Sequence, residues 1–235
     1  MIRAAGGSGI GSSMRRWAGR PLLGTGQRQR RAWGLLTACV AVAVAIGAAF
    51  AHQSTADWFD RVADDPVIRL LGGHQGLLLW MQDPGTQVPA GLLSLAMAVA
   101  CLVTRRLNGV VLALVAVFVA TRIDEWLLKP LFHRTYLGAL SYPSGHTTSV
   151  VTIIACYVVL FLLPPRRPLA RRWLLAGLAV LLALVVITAL GVIGLRWHYL
   201  TDVVGGAAVG VAAVCALCLL IDGAWRWLGL SRNAR

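Results

Sequence analysis

Long apolar runs dominate this 235-residue chain, and they leave few folds open. Continuous apolar stretches occupy residues 33–51, 107–128, 144–163, 173–195 and 199–221, with a shorter one at 89–103. A stretch of about 20 apolar residues is what a helix needs to cross a bilayer. Charged residues make up only 13% of the chain, against about 25% in ordinary soluble domains. The expected fold class is all-α: a polytopic membrane protein built as a six-transmembrane-helix bundle. Between the first two runs, residues 52–88 hold five aspartates and short apolar stretches such as 76–81, the pattern of one or two interfacial helices. Lys129-Pro130 is expected to end the third helix, with residues 131–143 as loop.

The ends of the chain differ from the middle. Residues 1–31 are rich in Gly, Ser and Arg, with seven arginines and no acid; they read as a disordered basic tail. The membrane domain is expected over 32–222 and a second basic tail over 223–235. Ala49-Phe50-Ala51 has the form of a signal-peptidase site, but the run before it is long for a signal core and is read as a span.

Six spans put both termini on one side. Sixteen of the 22 basic residues fall on that side, and eight of the nine acids fall on the other. Positive loops mark the cytoplasmic face, so both termini are expected in the cytoplasm. The net charge of +13 is therefore assigned to loops facing anionic lipids rather than to nucleic acid. Trp33, Trp126, Trp173, Trp197, Trp225 and Trp227 stand at span ends, as interface anchors do. Cys39, Cys101, Cys156, Cys215 and Cys218 all lie in apolar segments. The C-x-x-C of the last two has no companion ligands and reads as small buried residues. Gly206 and Gly210 form a G-x-x-x-G, a close-packing surface with no chemistry implied.

Two polar islands interrupt the apolar text, Ser141-Tyr142-Pro143-Ser144-Gly145-His146 and Arg196-Trp197-His198-Tyr199-Leu200-Thr201-Asp202. The topology puts both on the extracytoplasmic side, beside Lys129 and Arg134. Ionisable groups at a membrane boundary are costly and mark function. Ser144-Gly145-His146 opens a helix, whose free N–H groups suit an anion, with Gly145 allowing close approach and His146 placed to donate a proton. Asp202 stands one turn from His198, where a carboxylate can bond one imidazole nitrogen and leave the other to attack. Lys129 and Arg134 are cations suited to phosphate oxygens. Read singly, each of these sets is also what a self-satisfied interface pair, a plain helix cap or a helix-anchoring cation looks like.

In this order the residues resemble the type-2 phosphatidic acid phosphatase family, relatives of vanadium haloperoxidases and bacterial acid phosphatases. That family carries K-x6-R-P, P-S-G-H and S-R-x5-H-x3-D. Lys129, Pro143-Ser144-Gly145-His146 and His198-x3-Asp202 match, and the resemblance spans residues 50–222. It implies His198 as nucleophile forming a phosphohistidine, Asp202 orienting it, His146 protonating the leaving alcohol, and Lys129 with Ser144 and Gly145 binding phosphate. No metal or other cofactor is implied. Two motif arginines are missing: Tyr136-Leu137 stands where Arg-Pro is expected, and Gly191-Val192 where Ser-Arg is. Arg134 and Arg196 are the nearby cations that could replace them.

The expectation is thus a lipid-phosphate phosphatase whose partners are a membrane lipid phosphate and the bilayer itself. Phosphatidic acid, phosphatidylglycerol phosphate and polyprenyl phosphates all fit. The Arg-over-Lys bias and the Ala, Val and Gly excess suit a high-GC bacterial genome, hence a bacterial cytoplasmic membrane with the site facing outward. A lipid phosphotransferase, a degenerate lipid-binding protein and a serine hydrolase using Ser144 and His198 are the alternatives; the clustered cations and second histidine count against the last. Oligomeric state is not legible.

Overall fold

The architecture is that of a computed structural model describing residues 21–164 and 168–228. Nine α-helices occur among the described residues: α1 Gln27–Ala49, α2 Trp58–Leu71, α3 Gln75–Gln82, α4 Gln87–Val103, α5 Leu107–Ile123, α6 Lys129–Phe132, α7 Gly145–Tyr157, α8 Pro168–Gly194 and α9 Leu200–Trp227. Six helical stretches are long and apolar enough to cross a membrane: Gln27–Ala49, Gln75–Val103, Leu107–Phe132, Gly145–Leu162, Ala170–Gly194 and Leu200–Trp227. The chain is a six-span helical membrane protein. A hairpin of two-residue strands, Thr135–Tyr136 and Ala139–Leu140, is the one departure from helix plus loop among the described residues. Its turn places Leu137 and Gly138 at positive φ, as tight hairpin turns require.

The centre of the bundle is α9, which packs on α1, α7 and α5. Small residues make this possible. A Cβ on Gly206 would collide with the Ser144 carbonyl, and one on Gly210 would lie 2.9 Å from the Thr148 carbonyl oxygen. Thr148 Oγ1 donates to the Gly206 carbonyl at 3.1 Å. The G-x-x-x-G surface is thus spent on bringing α9 against α7, and α7 carries His146. Away from this seam, Leu92, Val99, Phe118, Val180 and Val186 are exposed, as lipid-facing side chains are.

Besides the fifth span, whose helix opens at Pro168 rather than at 173, four boundaries differ from expectation. The second span begins at Gln75, because 76–81 is its first turns rather than an interfacial piece. The third continues past Pro130 to Phe132. There a wide turn over Asp124–Leu128, in which Lys129 N–H donates to the Asp124 carbonyl, accommodates one extra residue ahead of the proline. Proline in a first turn forfeits no bond the helix needs. The last helix runs to Trp227, so 223–227 is not tail.

The fourth difference is at the N-terminus. Leu22 and Leu23 are buried, and the amides of Leu22, Leu23 and Gly24 donate to the Asp222 carboxylate at 2.8, 2.9 and 3.1 Å. A carboxylate on a spanning helix needs such donors. Residues 21–31 therefore belong to the folded domain, and Gln27–Arg31 opens α1. Residues 1–20 and 229–235 of the two expected tails, and 165–167 between the fourth and fifth spans, lie outside the described residues.

Helix α2 is the interfacial helix expected between the first two spans. Asp57 caps it, accepting from Asp60 N–H at 2.8 Å, which satisfies one free N-terminal donor. One face exposes Trp58, Phe59, Val62 and Leu70, while Asp60 and Asp64, four residues apart, are buried where α2 meets α8 and α9.

Candidate active site

Lys129 is the only lysine in the chain. The wide turn before it adds one residue to the helical register, changing which side chains face inward; such turns recur at functional sites. Lys129 points into a cleft of about 620 Å³ that also exposes Gly145, His146 and His198. Its ammonium pairs with Glu125 Oε1 at 2.6 Å.

Helix α7 begins at the cleft wall. Ser144 caps it through its hydroxyl, accepting from Thr147 N–H at 3.5 Å and pairing with Thr147 Oγ1 at 3.2 Å. Ser144 is fully buried, so its hydroxyl serves the helix. Its own N–H donates to the Asp202 carbonyl at 3.0 Å, tying the start of α7 to the start of α9. Gly145 and His146 then present the open end of the helix to the cleft, where unpaired amides and the positive dipole end attract an anion.

His198 enters from the loop before α9. Its Nδ1 lies 2.8 Å from the Ser141 carbonyl oxygen. A carbonyl only accepts, so Nδ1 carries a proton, and in the neutral ring the lone pair is then on Nε2. The rings of His146 and His198 are 6.1 Å apart at 64°, and Trp197 stands 5.8 Å from His146.

Asp202 is placed differently from the expected imidazole partner. Its Oδ2 is 3.8 Å from His198 Nδ1, beyond hydrogen-bond reach. Oδ2 accepts instead from Tyr199 N–H at 3.0 Å, in a capping box on α9, and Oδ1 accepts from Arg134 Nη1 at 2.6 Å. The orienting group on His198 is the Ser141 carbonyl. Asp202 acts one step back, holding the helix end and loop from which His198 projects.

Neither expected replacement arginine faces the cleft. Arg134 is 1% exposed. Its Nη1 donates to Asp202 and to Thr201 Oγ1, both at 2.6 Å, and its Nη2 pairs with Asp60 at 2.5 Å. Its Cζ also lies over the rings of Phe50 and Tyr199, 4.6 and 4.3 Å from their centres. Buried, with both terminal nitrogens committed to Asp60, Thr201 and Asp202, this guanidinium organises the protein and does not reach the cleft. Arg196, at φ 58°, projects the other way into a separate hollow of about 320 Å³ lined by Ile68, Gln75 and Leu78.

The structure adds groups that the motifs do not contain. Gly85 and Thr86, in the turn between α3 and α4, line the cleft with Arg122, Glu125 and Ser149. A Cβ on Gly85 would lie 2.7 Å from that of His146, so glycine there lets the turn close over the histidine. Arg122 is held by Phe118 and Trp126, at 5.0 and 4.7 Å from their ring centres. From the polar end the cleft continues between α4 and α5 along Gly91, Leu114, Val117 and Phe118, an apolar path open to the lipid side. The Asp83–Gly85 turn fell inside a stretch read only as loop with interfacial helices, and Arg122 and Glu125 carried no signal beyond standing near a span end.

The five cysteines are all unbridged. No curated protein and no solved structure matches the chain significantly. The PAP2 superfamily model matches residues 80–226, from the end of α3 to the end of α9 and across every cleft residue described above. The chain belongs to the PAP2 superfamily, and is on that ground a phosphatase of phosphate esters.

Proposed function

We propose that this protein removes the terminal phosphate from a membrane lipid, with His198 as nucleophile and no metal. The observation that carries the reading is the cleft itself. A histidine whose Nδ1 is committed to the Ser141 carbonyl and a second histidine 6.1 Å away share it with the only lysine. The apolar path between α4 and α5 gives a lipid tail somewhere to lie while the phosphate reaches the histidines.

In the proposed sequence the phosphate sits against Lys129 and the open amides of α7, which stabilise charge on its oxygens. His198 Nε2 attacks phosphorus as the ester P–O bond breaks. The departing oxygen takes a proton from His146. Water, giving its proton back to His146, then splits the N–P bond, freeing phosphate and restoring neutral His198. The positive-inside balance of the loops supports a site facing out of a bacterial cytoplasmic membrane, with both termini inside.

The test is phosphate release by the purified protein in detergent containing EDTA. The panel is phosphatidic acid, phosphatidylglycerol phosphate and a polyprenyl diphosphate. Release from at least one lipid is expected, and His198→Ala should abolish it. Release that survives His198→Ala, or needs a divalent cation, would overturn the mechanism.

A further inference from the structure

The seat proposed for the phosphate already has an anion in it, and that anion belongs to the chain. Glu125 Oε1 is 2.6 Å from Lys129 Nζ. The same oxygen would be 3.6 Å from a Cβ on Gly145, so the carboxylate stands over the first residue of α7, between the lysine and the open helix end. Glu125 and Lys129 line one cleft with Gly145, His146 and His198. The Glu125 side chain is 48% exposed, the Lys129 side chain 14%: the lysine is held in the wall while the carboxylate is free to swing out.

We infer that Glu125 is a specificity residue, a built-in competitor that fills the phosphate seat until a substrate phosphate displaces it. The inference rests on the phosphatase reading. Two like charges cannot share the position, so an incoming group has to out-compete a carboxylate for Lys129 and the α7 amides. A terminal phosphate, carrying close to two charges and three free oxygens, does so. A phosphodiester carries one charge and two free oxygens, and does not. Phosphodiesters are the headgroup linkage of the surrounding bilayer, so a seat without this filter would be blocked by the lipids around it. The same competition hastens departure of product phosphate.

The experiment compares wild type with Glu125→Gln, which keeps the shape and removes the charge. Inhibition of lipid-phosphate hydrolysis is read with inorganic phosphate and with phosphatidylglycerol, a diester. Both should inhibit the variant about three- to tenfold more tightly, the diester gaining more. Unchanged or weaker inhibition, with KM raised, would overturn the inference and leave Glu125 as a strut for Lys129. Phosphate binding is also followed without turnover through Trp197 fluorescence, the indole lying 5.8 Å from His146. If wild type hydrolyses no lipid but the variant still binds phosphate more tightly, the competitor stands and the reaction assignment falls.

Discussion

At the scale of single residues, Arg134 shows how far two positions can move a function. The family pattern expects a phosphate-binding arginine at position 136. The arginine at 134 is instead enclosed by Asp60, Asp202, Thr201, Phe50 and Tyr199. Removing one partner from a buried ion network strands the others and costs about 3–5 kcal/mol. Arg134→Met should therefore lower the thermal unfolding temperature in detergent and reduce the folded yield. A phosphate ligand would behave oppositely, raising KM and leaving unfolding unchanged, so the two measurements together decide the role. Lys129, His146 and His198 were legible because each lies beside a span end on one side of the membrane. Arg134 and Arg196 were not: both sit in short irregular segments, and spacing along a loop does not say which way a side chain turns.

The element that sequence patterning undervalued is α2. An interfacial helix between the first two spans was expected, but its two buried acids serve a helix about 140 positions later. Asp60 accepts from Thr201 N–H at 3.0 Å and Asp64 from Leu200 N–H at 3.2 Å. With Asp202 accepting from Tyr199, three carboxylates cap one helix start, and Arg134 is the cation among them. Burial, with Asp60 and then Asp202 nearby, raises the Asp64 carboxyl from 3.8 to about 7, against the smaller pull of the Leu200 amide and Arg134. Its Oδ2 has no hydrogen-bond partner among the described residues, which disfavours a charged oxygen there. A raised acid pKa stabilises the fold at low pH, and that contribution fades as pH climbs from about 4 to about 7. Thermal unfolding measured across this window should therefore decline with pH in wild type and decline less in Asp64→Asn. A steeper decline in the variant would contradict the assignment. No periodicity could have announced this pairing, since it depends on where a surface helix lands against the far end of the chain. The wide turn at Asp124–Leu128 escaped for a related reason: one extra residue in a helix leaves hydrophobic spacing nearly unchanged, yet it sets which of Arg122, Glu125 and Lys129 face the cleft.

For the molecule as a whole, the number and order of spans followed from apolar run length alone, and only their ends moved. Two spans grew at their ends, through Gln27–Arg31 at the start of α1 and through Asp222–Trp227 at the end of α9, where Asp222 accepts from the Leu22, Leu23 and Gly24 amides. Orientation follows from charge balance and is open to a direct check. A cysteine placed at Thr55, exposed at the cleft end, should react with a membrane-impermeant thiol reagent in intact spheroplasts. One at Thr104, exposed at the opposite end, should react only after permeabilisation, and the reverse pattern would invert the topology. The junction of α2, Arg134 and α9 bears also on how such a chain is made. Asp60 emerges early and enters the membrane region long before its partners; Arg134 follows three spans in, and Asp202 arrives with the last helix. Until that helix is inserted, His198 is absent, α7 lacks the carbonyl that tethers its first amide, and the charges of α2 have only half their counterparts. An incompletely inserted chain thus lacks the proposed histidine pair, and the same final helix that locks the buried charges also brings in His198, the proposed nucleophile.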